Sequence, residues 1–273
     1  MRIGKTEEAV KLAGEMAFGR IPLGLFWAFV KRDLQERFAG SLLGPFTVLL
    51  QPLAQILVFV FLFKYVFRVK IKLAGNQEDF LRFFLSGFVP WSIHAEALTR
   101  GAMSVLSQGH LLTKAAFPAE VLPLSSVCSV YLLGVPALLI LWGVLLVTGG
   151  LPWLALLGLQ LLLVQAIFSL GVVLFLAALL VYLRDLQQFM GLFIMVWFYA
   201  SPILYSFEML PPHLRFILKL NPYTYFVELW HFLCLGTALS KEAMVIVLVS
   251  TAGSLFFGWA FFKRLKEGFA DVF

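Results

Sequence analysis

Charge is scarce in this chain: 13% of its 273 residues are Asp, Glu, Lys or Arg, while 61% are hydrophobic. A soluble domain carries roughly 25% charged residues, so the composition excludes a water-exposed globular protein. Cysteine is nearly absent. Cys128 and Cys234 lie far apart in apolar sequence, which excludes a disulfide scaffold or a cysteine metal centre and points to reduced packing residues. The four histidines, His94, His110, His213 and His231, show no HExxH or paired-ligand spacing, so no metal site is expected. No converging set of His, Asp and Glu marks an intramembrane enzyme. Gly4-Lys5-Thr6 has the ending of a phosphate-binding loop without its opening glycine or a preceding strand. The chain is therefore expected to be neither an enzyme nor an energy converter.

What is present is long apolar sequence. A spanning helix needs about 20 mostly apolar residues, and six stretches qualify: Phe46 to Phe67, Phe83 to Val105, Val121 to Val147, Pro152 to Leu183, Phe189 to Tyr205, and Ala243 to Phe262. The expected class is all-α: a polytopic membrane protein of six transmembrane helices. Residues 1–22 read as a cytoplasmic tail, 23–44 as an amphipathic interface helix and turn, 45–262 as the membrane domain, and 263–273 as a second tail. The first twenty residues mix Arg2, Lys5, Lys11 and Arg20 with Glu7, Glu8 and Glu15, unlike a secretory signal. Lys and Arg gather before the first span and at Lys263, Arg264 and Lys266, so both termini are expected on the cytoplasmic side. Lys64, Arg68, Lys70, Lys72 and Arg82 form a basic cluster that opposes this assignment.

Residues Leu23 to Phe38 wind as a helix with one broad apolar arc, suited to lying on a membrane surface. Arg32 is off that arc, whereas Asp33 and Arg37 intrude on it four residues apart, to pair with each other or to meet protein. In the first span Gln51, Gln55, Phe59 and Phe63 recur at steps of four. In the fifth, Phe189, Phe193 and Trp197 do the same, followed by Tyr199 and Tyr205. Such stripes serve packing or an interface belt, or else wall a path on which pyranose rings stack while amides bond hydroxyls. Glu96 and Arg100 share a helix face and either neutralise one another or line a polar pathway.

From Pro202 to Leu235 the chain is too apolar for a solvated loop, yet Pro211-Pro212 and Asn221-Pro222 cut it before any piece reaches spanning length. That pattern fits a re-entrant helix pair at about residues 206–235, which needs protein around its irregular backbone.

Several motifs together are specific. Arg32-Asp33-Leu34 with Arg37-Phe38-Ala39-Gly40-Ser41-Leu42-Leu43-Gly44 comes first, followed by Gly87-Phe88-Val89-Pro90-Trp91 and by Leu111-Leu112-Thr113-Lys114-Ala115-Ala116-Phe117-Pro118-Ala119-Glu120. Tyr182-Leu183-Arg184-Asp185, Ser201-Pro202-Ile203-Leu204-Tyr205 and Leu220-Asn221-Pro222 ahead of Glu228 complete the series. In this order the chain resembles the membrane subunits of polysaccharide-export ABC transporters, which move lipid-linked O antigen, teichoic acid or capsule.

The resemblance implies a homodimer enclosing a channel in the inner membrane, gripped by two copies of a separate cytoplasmic ATPase that binds ATP and Mg. It implies ATPase coupling at Leu111, Lys114, Phe117 and Pro118, with a second contact at Arg184 and Asp185. It implies an external gate at Pro211, Pro212, Asn221, Pro222, Tyr223 and Glu228, and a conduit walled by the aromatics of the first and fifth spans. The partners implied are the ATPase, a lipid-linked polysaccharide and membrane lipids, without nucleic acid. An intramembrane glycolipid-modifying enzyme is the alternative from another class.

Overall fold

The computed structural model describes residues 23–38, 46–68, 71–73, 76–78, 80–109, 118–149 and 153–272. Helix α1 (Leu23–Phe38) is followed by α2 (Phe46–Val60), which widens into a π-helical turn, Phe61–Val66. A hairpin of β1 (Ile71–Leu73) and β2 (Asn76–Glu78), with Ile71 opposite Glu78, is a small addition to the helical class. Then come α3 (Phe80–Ser107), α4 (Val121–Gly149), a 3₁₀ turn (Trp153–Leu157) leading into α5 (Gly158–Tyr182), and α6 (Leu186–Tyr199). A second 3₁₀ turn (Phe207–Met209), α7 (Pro212–Lys219), α8 (Pro222–Leu235) and α9 (Lys241–Leu265) follow. A last 3₁₀ turn (Lys266–Gly268) and α10 (Phe269–Val272) complete the series.

Among the described residues, three stretches are long and apolar enough to cross a membrane: Val121–Thr148, Trp153–Tyr182 and Lys241–Gly268. Helix α3 is equally long at 28 residues but carries Arg82, Glu96 and Arg100. The sequence drew the fifth span to Tyr205, whereas α6 stops at Tyr199 after 14 residues. At 1.5 Å per residue that is about 21 Å, short of the ~30 Å hydrocarbon layer. The reason is local: Pro202 has no N–H to continue the ladder and disfavours helical geometry at Ser201.

Helix α3 is the hub, packed against α4, α5 and α8. The most extensive helix pair is α5 with α9, which meet backbone to backbone at Gly171 and Gly258. Small residues permit such close approach between helices in lipid. Helix α1 lies along α4. Outward faces carry exposed Leu57, Phe61, Leu146, Leu163, Leu192, Val249 and Phe257. An apolar exterior around a helical bundle is the surface that lipid requires, and the protein is membrane-embedded.

The core also holds a polar chain. Trp230 Nε1 donates to Gln165 Oε1 at 2.8 Å, and Gln165 Nε2 donates to the Pro90 carbonyl at 2.8 Å. Tyr131 Oη and His94 Nδ1 each lie 2.6 Å from Ser169 Oγ. These bonds join α3, α4, α5 and α8. Buried networks of this kind help to specify one packing among many apolar alternatives.

Candidate functional site

The amphipathic helix α1 brings its intruding charges against α3. Arg37 Nε lies 3.4 Å from Asp33 Oδ2, Arg37 Nη1 lies 3.0 Å from Glu96 Oε1, and Arg100 Nη2 lies 3.5 Å from Asp33 Oδ1. Ser129 of α4 donates to Asp33 Oδ2. Two pairs that the sequence shows as separate i,i+4 neighbours are thus one network across three helices. The Arg37 side chain is only 2% exposed. Burial pulls its guanidinium below the ordinary arginine value and Arg100 acts the same way, while Glu96 and Asp33 oppose them. Arg32 stands apart, pairing with Glu36 at 3.1 Å and donating to Gln108, just past the end of α3.

Above this network a cavity of about 660 Å³ opens between α2, α3 and α6. Arg37, Glu96, Arg100 and Thr99 line one part of it, Gln55 and Ser92 add polar groups, and Trp91, Phe88, Phe198 and Tyr199 supply aromatic surface. Glu96 is paired with Arg37 and Arg100 with Asp33, rather than with one another as the sequence allowed, and both line the cavity.

Helix α8 reaches deep into the bundle. Tyr223, at the start of α8, is fully buried and stacks on His94 at 4.6 Å between centroids, halfway along α3. The tip is held by Asn221. Its Oδ1 accepts from Trp197 Nε1 at 2.8 Å and from the Tyr223 amide at 3.0 Å, while Nδ2 donates to the Ala200 carbonyl at 2.8 Å and to Ser201 Oγ at 3.0 Å. One side chain therefore caps α8 and closes the end of α6. Replacing Asn221 with alanine is expected to lower stability by about 2 kcal/mol, combining a lost cap with unpaired buried donors. Thermal unfolding in detergent measures this, and an unchanged midpoint would show that the tip is held otherwise.

The two helices of the pair differ. Helix α7 begins with Pro212 after the Pro211 cap, both exposed, and leaves Leu214, Phe216 and Ile217 uncovered. Helix α8, opened by Pro222, is largely core: Tyr223, Phe226, Val227 and Trp230 are buried, and His231 Nε2 donates to the Phe83 carbonyl at 3.2 Å. It ends at Gly236, whose φ of 71° is a left-handed conformation that suits glycine. Glu228 is half-buried, and burial pushes its carboxyl above the usual carboxylate range, with Glu242 adding to the rise and Ser240 and Lys219 opposing it.

The aromatic stripes separate into two kinds. Phe59 packs on Phe84, Phe88 and Phe198, and Phe63 stacks on Phe80 at 5.1 Å, so both serve the contact of α2 with α3. Trp197 is half-buried, between Phe193 and Trp91, and is tied to Asn221. Gln55 and Tyr199 line the cavity, and Tyr205 Oη donates to the Tyr199 carbonyl at 2.7 Å. Phe189 and Phe193 are exposed on α6. The side chain of Gln51 and the residues Leu111, Lys114 and Phe117 lie outside the described set. Pro118 precedes α4, where its carbonyl accepts from the Val121 amide at 3.1 Å. Arg184 and Asp185 form an exposed turn between α5 and α6. Sequence reasoning missed Trp91, Ser92, Thr99 and Phe198 as cavity lining. Their spacing on α3 was visible, but its facing helices were not.

The described residues thus form a helical membrane protein with an open cavity of polar and aromatic lining. Residues 24–233 match the ABC-2 type transporter family, and the chain belongs to it. Among its relatives is the O-antigen export system permease protein RfbA of Klebsiella pneumoniae, 29% identical over 252 residues, which cover 91% of this chain and 94% of the relative. A protein of the same description from Myxococcus xanthus is 34% identical over 206 residues, covering 73% of this chain and 75% of that one. The chain is therefore a membrane-embedded transport subunit of the kind that works with a separate ATP-binding subunit.

Proposed function

We propose that the chain forms the transmembrane channel of an ATP-driven exporter that carries a lipid-linked polysaccharide, O antigen in the first instance, from the cytoplasmic side across the inner membrane. The observation that carries this reading is the match to O-antigen export permeases over nearly the full length of both proteins. The cavity supports it: Tyr199, 53% exposed, offers a face on which sugar C–H groups stack, and Gln55, Thr99 and Ser92 offer partners for hydroxyls. The channel is completed by a second copy of the chain. Exposed apolar residues beside the cavity, Leu57 and Phe61 on α2 and Phe189, Leu192 and Phe193 on α6, are the surface such a copy would cover.

In this reading both termini are cytoplasmic. ATP and Mg are bound by the partner, which docks at Leu111, Lys114, Phe117, Pro118, Arg184 and Asp185. Hydrolysis moves those contacts and shifts the dimer between closed and open arrangements, the two-state element that transport requires. The α7–α8 pair forms the external gate. The firm seat of α8 makes α7 its mobile half.

Trp197 is a poor probe of the path because it also holds Asn221. The cleaner test is a double replacement of Gln55 and Tyr199 by alanine. Surface polysaccharide is expected to fall roughly tenfold, the equivalent of ~1.4 kcal/mol of lost contact free energy, with the ATPase still copurifying. Normal surface polysaccharide in that variant would remove the cavity from the path.

A further inference from the structure

At the end of the bundle where α4 begins and α5 and α9 finish, the last described residues do not trail away. Lys266 Nζ pairs with Oε1 of Glu120, a carboxylate whose side chain is 7% exposed. Tyr182 Oη donates to the Leu265 carbonyl at 2.8 Å, and Arg184 Nη2 donates to the Val272 carbonyl at 3.0 Å. Phe269 is buried among Phe262, Leu122 and Val181, with Tyr182 6.1 Å away between centroids. Val272 and Phe29 of α1 pack on the same small cluster, which is separate from the main core.

Both ends of this segment fasten to functionally suggestive places. Glu120 lies two residues past Pro118, at the close of the stretch that carries Lys114. Arg184 belongs to the second turn, and Tyr182 immediately precedes it. We infer that Lys266–Val272 is a positioning clasp that holds Glu120, at the start of α4, and the Arg184-Asp185 turn in fixed relation, so that displacement of one by the ATPase moves the other. The inference rests on the docking assignment made above. Its physical basis is that an ion pair to a largely buried carboxylate, two hydrogen bonds and an aromatic plug tie the start of α4 and the end of α5 to one short segment, in addition to the packing of α4 on α5. A linkage of this kind changes the efficiency of transmission and leaves the docking affinity nearly intact.

The test uses the full chain in complex with the ATPase that supports its export. Glu120→Lys and Lys266→Glu are each expected to lower surface polymer per unit of ATP hydrolysed about tenfold, within the range for such linkages, while copurified ATPase changes less than about twofold. The charge-swapped double variant is expected to recover most of the loss, which a merely disordered terminus would not do. Tyr182→Phe, which removes one hydroxyl and leaves the plug, is expected to lose about threefold and carries the test if the reversals fold poorly. A double variant no better than its worse parent, or Tyr182→Phe with full coupling, overturns the clasp. Lys114→Glu separates the two ideas. Undiminished copurification in that variant defeats the docking assignment; lost copurification together with fully coupled single reversals defeats the clasp alone.

Discussion

Replacing Arg37 with methionine is expected to destabilise the protein by about 3 kcal/mol, the lower part of the range for breaking a buried ion pair. The guanidinium is 2% exposed and spans Asp33 of its own helix and Glu96 of α3. Its removal leaves two carboxylates with Arg100 alone, and Arg100 reaches only Asp33. Glu96 would then face the cavity uncompensated, and α1 would lose one of its polar ties to α3. Arg37→Lys is not equivalent, because the guanidinium meets Asp33 and Glu96 with two different nitrogens held in one rigid plane, whereas an ammonium is a single point charge. A second change, Glu96→Met, is expected to recover much of the loss, since it removes the orphaned charge and leaves Asp33 paired with Arg100. Unfolding midpoints of the three variants in detergent decide the matter. A wild-type midpoint for Arg37→Met would mean that the network contributes nothing to holding α1. The export phenotype should follow stability in the single variant and part from it in the double, where the cavity has lost a polar wall.

The other large effect is expected at Gly258. A Cβ placed there would sit 1.9 Å from the Gly171 carbonyl oxygen, and one at Gly171 would sit 2.3 Å from the Ser254 carbonyl carbon. Both obstacles are backbone, so no rotamer change relieves them. Overpacking in a rigid contact costs typically ~1–3 kcal/mol and sometimes more; Gly258→Leu should exceed that range because it forces apart the most extensive helix pair in the molecule. Loss of folded protein from membranes is the expected readout, with Gly258→Ala intermediate. Ser254→Ala is the control, as it removes only the hydroxyl that reaches the Phe168 carbonyl at 3.2 Å and the Thr251 carbonyl at 3.0 Å. If Gly258→Leu accumulates normally, α5 and α9 can separate without consequence, and close packing there is incidental.

Much of the architecture was legible before any coordinates. The limits drawn for the second, third, fourth and sixth apolar stretches lie close to α3, α4, the run from Trp153 to Tyr182, and α9. The breaks at Pro211-Pro212 and Asn221-Pro222 coincide with the starts of α7 and α8. The site was less legible. Phe59 and Phe63 share a stripe with Gln55, yet they pack on α3 while Gln55 lines the cavity, because the stripe drifts around the helix and only neighbouring elements decide which part faces what. Trp197 looked like a wall residue and is also a latch. Gln165 drew no notice in an apolar span and proves to be the junction between α3 and α8.

The sequence by itself determined the solvent, the helical class and most of the breaks. In lipid each segment must satisfy its own backbone hydrogen bonds, so apolar length and proline position translate almost directly into helices and ends. The tertiary structure alone decided that Asp33, Arg37, Glu96 and Arg100 form one network, that Asn221 binds α6 to α8, and that Lys266 returns to Glu120. Those contacts join residues remote in sequence. Local periodicity can show that a charge or an amide lies on an apolar face and needs a partner, but the partner is chosen by how the helices pack.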